Sequence, residues 1–137
     1  MITTHVLDTA RGEPAIGVTV ILEMRQASEW TPVGRGETDS KGRVTSLTEG
    51  PMAPGTYRLT FDIGTYHREC GLAVSFFPEV KITFNVRDPD EHYHLPLLLS
   101  PFGYSTYRGL MGHVDQVDPG TWLDAEKETD MVWKRMR

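Results

Sequence analysis

The chain has one cysteine, Cys70, so no disulfide can form within it and its stability must come from a packed core. A lone thiol suits a reducing compartment. The expected location is therefore cytoplasmic, with Cys70 a buried, inert thiol. Long apolar runs are missing as well. None approaches the roughly 18 residues that a membrane span needs, and the longest, around Leu95 to Leu99, is the size of a strand. The opening MITTHVLDTARG has neither the basic nor the apolar segment of a signal peptide, and none is expected. The 14 Lys and Arg are outnumbered by 19 Asp and Glu, and they cluster only at Lys134-Arg135-Met136-Arg137. That balance argues against a nucleic-acid partner. No repeat or low-complexity segment is visible. At 137 residues the expectation is one domain, long enough for a real core.

What is present is a series of short β-type segments. Ile2 to Asp8 reads as a first strand, with Val6 toward the core and Thr3, His5 and Leu7 on the other face. Gly17 to Arg25 is rich in β-branched residues and reads as a central strand. Trp30 to Thr38 continues the β character, with Pro32 at an edge or bulge. Asp39 to Gly42 is a turn that delivers Arg43, and Val44 to Leu47 is a short strand. Thr56 to Asp62 alternates cleanly, and Glu79 to Val86 is another strand. Between them one short helix is predicted, opening near Thr65 and closing at Gly71. Seven or eight strands at intervals near ten residues argue for an all-β sandwich.

The stretch from Glu91 to Gly109, EHYHLPLLLSPFGYSTYRG, is the most informative. As a strand it places Tyr93, Leu95, Leu97 and Leu99 on one apolar face, and His92, His94, Pro96, Leu98 and Ser100 on the other. Ser100 to Gly103 reads as a turn and Tyr104 to Arg108 as a return strand, so the hairpin is expected to present His, Tyr and Arg on a common surface. With the core assigned, the residues left for chemistry are His5, Arg43, His92, His94, Tyr107 and Arg108. Imidazoles titrate near neutral pH and can activate water. A guanidinium can bind an anion and stabilise an oxyanion. The combination suits hydrolysis of an amide-like bond in a small, planar, nitrogen-rich anion. His92 and His94, with His5 as a third nitrogen, also allow a metal reading, which is weaker because no carboxylate has ligand spacing. No nucleophilic-serine elbow exists. His67 and His113 have no supporting partners and are expected to face solvent.

Several segments together carry a resemblance: Thr4-His5-Val6-Leu7-Asp8, Gly42-Arg43, Tyr57-Arg58-Leu59, Phe76-Phe77-Pro78-Glu79-Val80, His92 to Pro101, and Tyr104-Ser105-Thr106-Tyr107-Arg108-Gly109. In this order the chain resembles the 5-hydroxyisourate hydrolases, the transthyretin-related enzymes of urate breakdown, over residues 2 to 109. The resemblance implies a transthyretin-like sandwich of two four-stranded antiparallel sheets with one short helix. It also implies a homotetramer with active sites where dimers meet, and no cofactor or metal. His5, Arg43 and His94 fall on the family's catalytic positions. Arg108 falls on a site-lining position, with Tyr107 and His92 expected to help bind substrate. The implied reaction opens a ring C–N bond of 5-hydroxyisourate, giving 2-oxo-4-hydroxy-4-carboxy-5-ureidoimidazoline. The alternative is a transthyretin-like binding protein that keeps the channel and has lost catalysis.

Two places depart from the family pattern. The turn reads Ser40-Lys41-Gly42-Arg43, without the usual acid before Gly. Leu110 stands where the family has a terminal serine, and residues 111–137 follow it. The expected organisation is therefore a hydrolase domain over 1–109 and an extension over 110–137. From about Thr121 the extension shows an N-cap pattern, acids first and bases last, as a helix would. A docked helix and a partly disordered tail both remain open.

Overall fold

The computed structural model describes residues 1–48 and 50–109. The expected extension over 110–137, with its helix from about 121 and His113, lies outside the described residues. Among the described residues nine strands and one helix follow in order: β1 (Ile2–Asp8), β2 (Glu13–Pro14), β3 (Thr19–Gln26), β4 (Glu29–Glu37), β5 (Arg43–Val44), β6 (Gly55–Asp62), α1 (Ile63–Glu69), β7 (Glu79–Val86), β8 (Tyr93–Ser100) and β9 (Gly103–Thr106). Strands β4-β3-β6-β7 form one sheet, and β2-β1-β8-β9, with β5 paired to β1, form the other. The all-β sandwich with one short helix is as expected. Its second sheet differs in detail, because β1 and β8 run parallel, from Ile2 opposite Tyr93 to Asp8 opposite Leu99.

The core lies between the sheets, where the inward sets of alternating strands meet. Val20 and Leu22 of β3, Leu59 and Phe61 of β6, and Val6 and Leu97 of β1 and β8 are all fully buried. The odd-numbered face of β8 joins them as predicted, with Tyr93, Leu95, Leu97 and Leu99 all buried. Helix α1 starts two residues earlier than expected. Its cap is Asp62, whose Oδ1 accepts from the Thr65 backbone N–H at 3.2 Å. Gly71, just past the Cys70 C-cap, takes φ +83°, the left-handed turn that suits glycine. The helix packs Ile63, Tyr66 and His67 inward, and the Tyr66 hydroxyl donates to Asp8 at the end of β1.

Two expectations are corrected here. His67 is buried rather than solvent-facing, at 1% exposure. Its Nδ1 lies 2.8 Å from Ser75 Oγ, and burial lowers its pKa below the usual imidazole value. The spacing of Ile63, Tyr66 and His67 is that of one helical face, which explains the burial. Cys70 is half-buried rather than sealed, with the Arg11 guanidinium 3.3 Å from its Sγ.

Candidate active site

The outward face of the second sheet is built from three chain segments far apart in sequence. The parallel register sets Thr3 beside His94 and His5 beside Pro96. The antiparallel pairing of β5 with β1 sets Arg43 beside His5. Side chains on paired positions share a face, so His5, Arg43 and His94 converge. The turn before Arg43 is locked by Asp39, whose Oδ1 accepts from the N–H groups of Lys41 (2.9 Å) and Arg43 (3.0 Å). Gly42 is needed there, since it takes φ +75° and a Cβ would come within 2.5 Å of the Val6 carbonyl.

All three side chains are buried, with 6–8% of their surface exposed. The His5 and His94 rings lie 6.4 Å apart between centroids, tilted by 33°. Burial is the main reason that both imidazoles resist protonation. His5 is lowered to about 4, with the charge of Arg43 adding to the effect and a hydrogen bond to the Lys41 backbone opposing it. His94 is lowered to about 3, by burial and then by His5, His92 and Arg43. Near neutral pH the face thus holds two uncharged imidazoles beside one buried cation. Such a site can take an anion at Arg43 and a proton at either ring.

His94 is fixed from two sides. On one side its Nδ1 lies 2.8 Å from Thr3 Oγ1, a hydroxyl that also lies 2.8 Å from His92 Nε2. On the other side Gly109 donates its N–H to the His94 carbonyl at 2.7 Å. Gly109 comes so close that a Cβ there would sit 2.7 Å from His94 Cδ2. Strand β9 stops at Thr106, short of the expected Arg108, because Pro96 offers no N–H to extend the ladder. The Thr106 hydroxyl instead donates to the Pro96 carbonyl at 2.8 Å.

His5, Arg43, His92 and His94 are thus brought together. Tyr107 and Arg108 take a different setting. Tyr107 is buried in a cleft with Ile82, Phe84, Tyr93 and Leu95, which is the core side of β8. The Arg108 guanidinium pairs with Glu91 at 2.8 Å and lies over the Tyr93 ring at 4.6 Å. The surface expected to combine His, Tyr and Arg is therefore divided between the two sides of one strand. Among the described residues no group of three or more His, Cys, Asp or Glu is placed to hold a metal ion.

Residues 2–109 match the model of the HIUase/Transthyretin family. The chain belongs to the HIUase/transthyretin family. A relative from Salmonella dublin, named 5-hydroxyisourate hydrolase, is 46% identical over 110 residues, 80% of each chain. The solved structure of Klebsiella pneumoniae 5-hydroxyisourate hydrolase is 35% identical, with a TM-score of 0.70 over 80% of this chain and 98% of that one. Sea bream transthyretin, solved in complex with thyroxine, is 32% identical, with a TM-score of 0.74 over 81% of this chain and 96% of that one. One sandwich thus carries both a protein named as a hydrolase and one solved with thyroxine, and the side chains of the outward face have to decide between the two uses.

Thr3 is the residue that sequence reasoning missed. It lies on the expected face with His5 and Leu7, but a threonine in a strand reads as β-propensity. Only the register of β1 against β8 shows that its hydroxyl joins two histidines.

Proposed function

We propose that this chain hydrolyses 5-hydroxyisourate to 2-oxo-4-hydroxy-4-carboxy-5-ureidoimidazoline, with His5, Arg43 and His94 as the catalytic groups. The observation that supports this most is the meeting of two neutral, buried imidazoles with a buried guanidinium on one sheet face. The relatives named for the same reaction support it as well. A ring-opening hydrolysis needs water to lose a proton as its oxygen bonds to the carbonyl carbon. Either imidazole can take that proton. The tetrahedral oxyanion then forms beside Arg43, and the C–N bond breaks as the ring nitrogen receives a proton back from the imidazolium. The anionic substrate, once bound at Arg43, raises the affinity of both rings for that proton. A metal is not required for any of these steps.

His92 and Arg108 are assigned to substrate binding, together with Tyr107. Arg108 and Tyr107 sit beside Tyr93 within the single chain, so their contribution fits best in an assembled oligomer, and a homotetramer is the assembly proposed. Two features support it. Among the described residues, strands β7 and β9 lie at sheet edges. Phe76 and Phe102, packed on each other, are 63% and 73% exposed in the single chain, an aromatic patch that a subunit contact would cover. A cytoplasmic location is proposed from the single free thiol.

The test is the absorbance decay of freshly generated 5-hydroxyisourate, with sedimentation run on the same sample. The full chain should accelerate the decay and sediment as four copies. His94→Ala should lower the rate by about a hundredfold or more, the usual scale for a lost acid–base group. Decay at the buffer rate with the full chain would sink the hydrolase reading in favour of a binding protein, the role that Leu110 in place of serine would suit. Sedimentation as a single copy would sink the assembly.

A further inference from the structure

Thr3 is fully buried on β1, and its hydroxyl is shared between His92 Nε2 and His94 Nδ1, each at 2.8 Å. A hydroxyl has one hydrogen, so it can donate to only one of the two rings. If it donated to His94 Nδ1, the neutral His94 ring would carry its hydrogen on Nε2 and would have no lone pair for water. If His94 Nδ1–H donates to Thr3, the Thr3 hydrogen is left for His92 Nε2, and His94 Nε2 keeps its lone pair. The second arrangement is the one a base requires.

We propose that Thr3 is a positioning residue that fixes His94 as the Nδ1–H tautomer and links it to His92 as a path for the proton that His94 removes from water. This rests on the hydrolase reading for its effect on rate. The step balances without a further reactant. Water gives a proton to His94 Nε2, His94 Nδ1 passes its own to Thr3 Oγ1, and the Thr3 hydroxyl hydrogen moves to His92 Nε2. The net change is hydroxide at the carbonyl carbon and a protonated His92. The direction follows from burial. His94 is 6% exposed and stands near His5 and Arg43, where an imidazolium is disfavoured. His92 is only half-buried, just before β8. A charge is held at lower cost at the more hydrated end of such a path.

The experiment joins a measurement without turnover to one with it. Nitrogen-15 NMR of the intact protein, labelled at histidine, should show neutral His94 protonated at Nδ1, and Thr3→Val should release that preference. Thr3→Val keeps the branched shape and removes the hydroxyl. It should lower kcat by about tenfold to a hundredfold, with KM changed less than about threefold. Thr3→Ser, which restores the hydroxyl, should return kcat to within about threefold of wild type. His92→Ala should lose as much as Thr3→Val, and the double variant should lose no more than either, as expected of one path. Neutral His94 protonated at Nε2 in the wild type overturns the proposal. So does Thr3→Val at the rate of an active wild type, Thr3→Ser as slow as Thr3→Val, or His92→Ala at full rate. A wild type with no activity would overturn the hydrolase reading, while the tautomer still decides whether Thr3 sets the state of His94.

Discussion

Gly109 shows how narrowly the His94 ring is placed. The glycine donates its N–H to the His94 carbonyl at 2.7 Å, and its missing Cβ leaves room for the edge of the ring. A methyl group would stand 2.7 Å from His94 Cδ2 and 3.2 Å from Pro96 Cγ, so something must shift. Thr3 Oγ1, 2.8 Å behind Nδ1, limits retreat on that side. Gly109→Ala should therefore displace the imidazole by a few tenths of an ångström or more. Small misplacements of a reacting group cost rate steeply, about a hundredfold for 1 Å. We expect at least about a tenfold loss of kcat with a Tm close to wild type, checked by turnover and thermal unfolding of the same preparation. An unchanged kcat would mean that the ring has slack. At this scale the sequence was legible where a residue type declares its chemistry, as His5, Arg43 and His94 do. It was silent on Thr3 and Gly109, whose roles depend on a neighbour about ninety and fifteen positions away. For His67 polarity points to solvent, whereas its helical spacing with Ile63 and Tyr66 places it on the buried face.

Among the elements, β5 has two residues and yet decides the site. It exists because Asp39 closes the turn and Gly42 adopts φ +75°, which lets Arg43 pair with His5. The Gly42 carbonyl accepts from the Val6 N–H at 2.7 Å, so the turn is tied to the same strand that carries His5. Gly42→Ala would place a side chain in left-handed backbone, at a cost of about 1–3 kcal/mol. The clash with the Val6 carbonyl adds to it, and any relief moves Arg43. The expected outcome is a lower urea midpoint together with a raised KM, because the guanidinium proposed to receive the anion is displaced. A fall in stability with KM intact would show that Arg43 tolerates the shift. The turn itself could be read from Asp, Lys and Gly in sequence. The pairing could not, and neither could the parallel register of β1 with β8. Alternation assigns faces but not partners. The antiparallel sheets implied by the resemblance are interrupted between β1 and β8, which run parallel with most of the chain lying between them.

For the whole molecule, burying histidines without their charge makes folding depend on pH. His5 and His94 titrate near 4 and 3 in the folded chain, and burial lowers His67 as well. In the unfolded chain all three titrate near 6.5. Below that value the unfolded state binds protons that the folded state refuses, so stability falls as pH falls. The stabilisation is present in full above about pH 6.5 and is lost progressively toward pH 4 and then 3. Each fully refused proton changes stability by about 1.4 kcal/mol per pH unit. His5 and His94 together thus remove up to about 4 kcal/mol between pH 6.5 and pH 5, a large share of the 5–15 kcal/mol typical of a folded domain. The charges facing the pair are Arg43 and His92, which add to the effect at His94, and Asp39, which opposes it at His5. The window above pH 5 keeps most carboxylates ionised, so the imidazoles dominate it. Urea unfolding at pH 7 and pH 5, at one protein concentration, should show the midpoint falling for wild type. It should fall much less for a His5→Gln, His94→Gln double variant. Midpoints that coincide for wild type would mean that the two rings titrate normally. Arg43 would then face a site that can itself become cationic, and anion capture would strengthen as the solution is acidified. With the rings held neutral, the proposed anion capture relies on arginine rather than on the imidazoles, and both rings stay available as bases, so the instability at low pH and the capacity to accept a proton at neutral pH come from the same burial.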